Sequence, residues 1–277
     1  MNLKTLTLGL SMTSSVHAAS DMLTNASTES QPWSISLSSG VMQTPVSGSS
    51  ADYYRSAFAD FSASKALDLR ETNYLKAPSF FIRVGISDEM DYEDGESQLG
   101  NTTFGMSGLG YQLSPDAMVS IPVSAGIGTN KEDRLYKGYL GSLGLSPSLS
   151  FNSSVPGLVW GLQSNLQYYF YEYDTTMGGI YNPTASWSLG TVVSYTLGKG
   201  SVSGAVTNSN AYMSDGSVNI DRYLTQLSAT YLWTPQLSTS LGWSQRDRTF
   251  GYDGTSSNVN FRYADLSLVT VSFSYSI

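Results

Sequence analysis

The sequence predicts an all-β chain folded as a transmembrane, antiparallel, up-and-down β-barrel of twelve strands. Three observations carry this expectation. Apolar residues alternate with small polar ones along nearly the whole chain, the alternating runs are long, and the connections between them alternate between tight turns and long polar loops. Composition narrows the field in the same direction. Only 13% of the 277 residues are charged, about half the share of a soluble globular protein, which disfavours a helical bundle, a coiled coil or a cytosolic α/β enzyme. No run approaches the roughly 18 apolar residues of a transmembrane helix. The formal charge of −8 argues against a nucleic-acid partner, since phosphate binding needs a basic face.

Residues 1–18 read as an export signal. Lys4 supplies the positive start, Leu6 to Met12 the apolar stretch, and Val16-His17-Ala18 a small-x-small cleavage site before Ala19. Residues 19–32 are expected to form an N-terminal periplasmic segment, and residues 33–277 the barrel. Removal of the signal would take His17, the single histidine, with it; the chain has no cysteine. Nucleophile systems built on His or Cys, and zinc sites of the same ligands, are then unavailable. No catalytic residue, cofactor or metal site is expected.

The alternation is clearest from Leu158, where Leu158, Trp160, Leu162, Leu166, Tyr168 and Phe170 share one face and Gln163, Asn165 and Gln167 the other. Equivalent runs cover 79–87, 102–113, 117–128, 139–151, 158–172, 185–197, 201–209, 222–233, 237–246 and 262–277, which makes ten strands. Trp33, Ile35, Leu37 and Val41 make an eleventh. A bacterial barrel needs an even number. The weakly alternating Phe61, Ala63, Lys65, Leu67 and Leu69 supply a twelfth; the alternative is ten strands with this segment as a plug or cap, because Tyr54, Phe58, Phe61 and Lys65 also recur at helical spacing. In 102–113 the apolar face switches from Phe104 and Met106 to Leu109, Tyr111 and Leu113, so a bulge is expected at Gly108.

Tight turns are expected at Ser114-Pro115-Asp116, Asn152 to Gly157, Gly198-Lys199-Gly200 and Thr234-Pro235-Gln236. Longer loops are expected at Asp88 to Asn101, Thr129 to Gly138, Tyr173 to Asn182, Asn208 to Asp221 and Asp247 to Asn260. Aromatic residues gather at both ends of the strands: Trp160, Tyr195, Tyr231 and Trp233 beside the turns, and Phe104, Tyr139, Phe170, Trp187 and Tyr223 beside the loops. They read as two membrane-interface girdles, against the plainer alternative that aromatic residues simply favour strands.

On these patterns, and on the aromatic-rich last strand Leu268 to Ile277, the sequence resembles the outer-membrane β-barrel proteins of Gram-negative bacteria. The family's C-terminal strand usually ends in an aromatic residue, and here it ends in Ile277. The resemblance implies residence in the outer membrane among lipids and lipopolysaccharide, insertion by the barrel-assembly machinery, and a porin-like channel for small polar or anionic solutes. The alternative it leaves open is a non-transporting surface barrel whose loops bind a partner or stabilise the envelope.

The inward faces carry Gln163, Asn165, Gln167, Gln226, Ser228, Thr230, Ser238, Ser240, Ser244 and Thr270, neutral groups suited to hydrated solutes or to filling a narrow barrel. Arg83, Arg222, Arg246 and Arg248 also fall on inward faces. They read either as a basic patch that selects anions or as partners of carboxylates such as Asp68 and Glu172. The acidic run Asp88, Glu89, Asp91, Glu93, Asp94 and Glu96 lacks the spacing of a calcium loop and reads as a solvated, self-repelling external loop. Gly105, Gly108 and Gly110 lie in a strand pattern with no helix after it, so they read as wall curvature and not as a nucleotide fingerprint.

Overall fold

The computed structural model describes residues 33–45, 55–67, 74–89, 97–248 and 267–277. The expected signal and N-terminal segment, Asp68, the centre of the acidic loop at 90–96, the loop residues 249–260 and the start of the last strand lie outside them.

Fifteen strand segments build twelve staves. They are β1 (Trp33–Gln43), β2 (Arg55–Ala66), β3 (Leu75–Glu89), the two-residue β4 (Gln98–Leu99), β5 (Thr102–Ser114), β6 (Ala117–Ser120), β7 (Val123–Ile127), β8 (Tyr139–Leu145), β9 (Ser148–Asn152), β10 (Leu158–Tyr171), β11 (Pro183–Leu197), β12 (Gly200–Met213), β13 (Val218–Leu232), β14 (Leu237–Arg248) and β15 (Ser267–Ser276). β6 with β7, and β8 with β9, each form one interrupted stave; β4 is a fragment on the edge of β3. Each stave pairs antiparallel with its neighbours, and β1 pairs with β15 to close the cylinder. Two backbone hydrogen bonds of 3.0 and 2.9 Å between Ile35 and Ile277 finish the seam. Closure leaves no open edge, as lipid requires.

The segment that divided between strand and plug is strand β2, and the barrel therefore has twelve staves. It begins earlier than its apolar alternation, at Arg55, because the register Met42↔Ser56 and Gly40↔Phe58 carries the β1 ladder to the end of that strand. The bulge lies where the face switch places it: Gly108 has φ 83° and the β3–β5 register shifts between Leu75 and Ser79. The two interruptions are proline-driven, since Pro122 and Pro147 have no N–H to donate. Their carbonyls stay satisfied: Ser146 N donates to Pro122 O at 2.9 Å and Ser164 N to Pro147 O at 2.8 Å.

Two expected loops differ. The loop from Asn208 to Asp221 is mostly hairpin, because β12 and β13 continue pairing through Tyr212↔Val218. The turn is only 214–217, with Gly216 at φ 82°. The loop from Thr129 to Gly138 contains a helix, α1 (Lys131–Lys137). Asn130 caps it by accepting from Asp133 N, and Gly138 ends it at φ 65°.

The strand register separates two faces. Leu162, Leu166, Leu189, Leu227, Leu241, Val271 and Phe273 all point outward and are exposed. Among the described residues, buried large hydrophobics are few. An interior core is replaced here by an apolar outer band that lipid completes.

Candidate functional site: the lumenal face

The lumenal face is lined by short polar groups that bond across neighbouring strands. Ser36 and Ser62 hydroxyls meet at 2.6 Å, Ser79 and Ser107 at 2.6 Å, Ser203 and Ser228 at 2.7 Å, and Thr230 and Ser240 at 2.8 Å. Ser274 donates to Ser38 at 3.1 Å across the β1–β15 seam. These pairs face each other because alternation puts the small polar residue of each strand on the inner side in matched register. Gln163, Asn165 and Gln167 share this face with Gly190, Ser188 and Ser186. Gln226, Ser228, Thr230, Ser238, Ser240, Ser244 and Thr270 share it on β13, β14 and β15.

Two lumenal aromatic residues escape the alternation pattern. Phe58 lies over Gly40 and Phe81 over Gly105; a Cβ on either glycine would come within 2.9 and 2.7 Å of the respective ring. The glycines make room for rings on the inner wall, and the paired positions Gly40↔Phe58 and Phe81↔Gly105 were a signal available only once strand register was known. Arg83 places its guanidinium 5.1 Å from the Phe81 ring centroid.

Register puts Arg83, Arg222, Arg246 and Arg248 on the lumenal face. Arg222 is directly opposite Arg248, and Arg246 lies one lumenal step away, opposite Leu224. Arg246 is within electrostatic reach of Arg222 and of Tyr169. Both Arg222 and Arg246 are half-buried, and among the described residues neither has a carboxylate partner. Glu172, one expected partner, instead accepts a hydrogen bond from Tyr173 at 3.0 Å; Asp68 is outside the described residues.

The aromatic positions divide. Trp160, Tyr195, Tyr231 and Trp233 are exposed on the outer face at the short-turn end, and Phe170 is exposed at the long-loop end. Phe104 and Trp187 are half-buried on that outer face. Tyr223 keeps the outer register but is only 4% exposed, with Gln245 Nε2 donating to its hydroxyl at 3.4 Å. Tyr139 is a correction. It is 7% exposed and turned inward, because an extra residue at Leu140 shifts the β8–β10 register between Phe170 and Tyr171 and reverses the face.

Tyr139 joins Tyr169 and Tyr171 on the inner wall, with ring centroids 5.5 to 6.5 Å apart. Tyr169 donates to Gln167 Oε1 at 3.1 Å and shares a 2.9 Å bond with Ser186, while Gln167 Nε2 donates to Ser142 at 2.9 Å. Above them the loops interlock. Asn101 Nδ2 donates to Asp133 of α1 at 2.7 Å, and Lys137 pairs with the other oxygen of Asp133. Asn182, 1% exposed, donates from Nδ2 to the carbonyls of Lys137 and Tyr173, both at 2.8 Å. Its own carbonyl accepts from Ser214 N at 2.9 Å. Glu172 pushes the Tyr173 hydroxyl above its ordinary range, and two bonds from Ser217 hold the Asp215 carboxyl below its own.

No protein-family model matches the sequence, and no curated protein matches it. Solved structures do resemble the fold. The COG4313 outer membrane channel from Pseudomonas putida F1 is 12% identical with a TM-score of 0.64, over 91% of this chain and 97% of that one. The NanC porin is 12% identical with a TM-score of 0.54, over 88% of this chain and 98% of that one. Closed topology, apolar exterior and polar interior define the class: a twelve-stranded outer-membrane β-barrel. At this identity the resemblance speaks for the fold, and the chemistry of the lumen has to speak for the activity.

Proposed function

We propose that this barrel is a small passive channel of the bacterial outer membrane, carrying polar solutes and favouring anions. One observation carries the proposal: Arg222 and Arg246 stand together on the lumenal wall, half-buried, without a carboxylate partner among the described residues. Two like charges so placed cost energy in a purely structural network, which would pair them. In a water-filled passage with low-dielectric walls they lower the energy of an entering anion and raise that of a cation. Most of the remaining wall is neutral serine, threonine, glutamine and asparagine, interrupted by Asp60, Arg83 and the inward-facing aromatic rings.

In this reading residues 1–18 direct export and are removed, and the outer apolar band lies among lipids, with lipopolysaccharide in the outer leaflet. The β15 strand is the segment engaged by the barrel-assembly machinery. Purified, refolded protein in a planar bilayer under a salt gradient provides the test. The expected reversal potential has the sign of anion preference, and it moves toward zero in Arg246→Gln. A correctly folded barrel that never conducts, or one that prefers cations, overturns the proposal.

A further inference from the structure

Three neighbouring staves lose their regular ladder in one row of the wall. Above the row, Met106, Val123, Leu145 and Leu166 are in register from strand to strand. Below it, Gly110, Ser120, Ser148 and Gln163 are in register in the same way. Between these levels β5 carries the extra residue of the bulge, with Gly108 at φ 83°. At the same level β6 gives way to β7 at Ile121-Pro122, and β8 gives way to β9 at Ser146-Pro147. The last two staves keep one register above and below, so what is interrupted there is bonding and not pairing.

Two ladder bonds are missing from this row for a covalent reason. Ser146 N donates to Pro122 O at 2.9 Å, and the return bond to Ser146 O would need an N–H on Pro122. Ser164 N donates to Pro147 O at 2.8 Å, and its return bond would need an N–H on Pro147. Proline in a sheet is confined to edges, strand starts and bulges, and a closed wall has no edge. Two prolines on adjacent interior staves, beside a glycine bulge, put three weakened crossings in line.

Below the row the segments form a panel that is well bonded within itself. The end of β5 pairs with β6, β6 with β9, and β9 with the start of β10. Asn152 N donates to Asp116 O at 2.8 Å, which ties the two short turns together. Phe151 stacks on Trp160 with ring centroids 4.3 Å apart, and Tyr111 stacks on Tyr74 at 5.5 Å on the other border. The panel lies at the short-turn end, and β10 runs unbroken along its side. A bonded unit joined to the wall above by three weakened crossings and one continuous strand has the construction of a hinged flap.

We infer that the row of Gly108, Pro122 and Pro147 is a hinge, on which the β5–β6–β9 panel moves as the gate of the short-turn mouth. The hinge follows from the bonding alone. The gate rests on the channel reading and deepens it by naming the part that moves. Bending at the row carries the lumenal side chains Gln112, Met118 and Ser150 of the panel toward or away from the passage.

Hydrogen exchange and single-channel recording on the refolded full barrel test the two parts separately. In the wild type, exchange is expected to be faster at Ile121, Ser146 and Ser164 than at Ser124 and Gly144, which pair in the wall just above. The double variant Pro122→Ala/Pro147→Ala supplies both missing donors and is expected to slow exchange at those three amides about tenfold. Current transitions between conductance levels should become rarer in the same variant. Pro183→Ala, at the start of β11, is expected to change neither reading. Should the double variant not refold, Pro147→Ala alone carries the test, with a smaller slowing expected. Wild-type exchange at the three amides no faster than at Ser124 and Gly144 overturns the hinge. Slowed exchange with unchanged current transitions overturns the gate, while the hinge and the channel reading stand. A silent wild-type barrel overturns the channel reading and the gate with it, and exchange still decides the hinge.

Discussion

Leu162 and Gln163 are one residue apart and face different solvents. Leu162 is 44% exposed on the outer face, well inside its strand, and Gln163 is half-buried on the lumenal face opposite Gly190. An arginine at Leu162 is expected to cost about 2–4 kcal/mol near the bilayer midplane. The same residue at Gln163 meets water and polar groups and should change stability little. Refolding free energies of Leu162→Arg and Gln163→Arg in lipid check this directly; equal losses would place the faces wrongly. A second pair of positions, on the two strands that flank β15, tests the inner wall. A Cβ at Gly40 would lie 2.2 Å from the Val271 carbonyl oxygen and 2.9 Å from the Phe58 ring, whereas at Gly242 nothing comes within 3.7 Å. Gly40→Ala should therefore cost about 1–3 kcal/mol by overpacking, with Gly242→Ala close to neutral, in the same refolding measurement.

The loops at the long-loop end act as elements of one assembly. Asn101 ties β4 and β5 to α1, while Asn182 ties α1 to the β10–β11 loop and to the β12–β13 turn. In Asn182→Ala the carbonyls of Lys137 and Tyr173 lose their donor, two hydrogen bonds worth about 0.5–1.5 kcal/mol each to the local structure. Hydrogen exchange should then accelerate at Glu172, Met177 and Ser214, whose amides are bonded to Gly138, Tyr136 and Asn182. The gel mobility of the folded barrel should stay as in the wild type, because the wall ladders do not pass through these loops. Exchange unchanged at all three amides would show that Asn182 does not hold the assembly together.

The whole molecule depends on closure. β15 lies between β14 and β1, so its loss leaves two unpaired edges in lipid. An exposed edge in hydrocarbon costs several kcal/mol per unsatisfied group. A chain ending after Thr270 is accordingly expected to yield no folded, heat-modifiable species on gels. Recovery of a compact barrel from that chain would mean that β14 and β1 can seal the wall without β15.

Sequence periodicity determined the class of fold, because in a membrane barrel each strand must show apolar residues to lipid and polar ones to the lumen. Runs such as Leu158–Phe170 carry that requirement openly. The bulge at Gly108 was legible for the same reason: it interrupts the period. Other features have no local period to betray them. Whether Arg55–Ala66 is wall or plug depended on pairing with β1, since its own alternation is weak. The inward turn of Tyr139 depended on one extra residue in the β8–β10 register. The rings of Phe58 and Phe81 depended on glycines in neighbouring strands, far away in sequence. The candidate arginines could be assigned to a face from alternation, but not to companions. That Arg222 stands opposite Arg248 and one lumenal step from Arg246 follows from the β13–β14 register, which no spacing within either strand reveals.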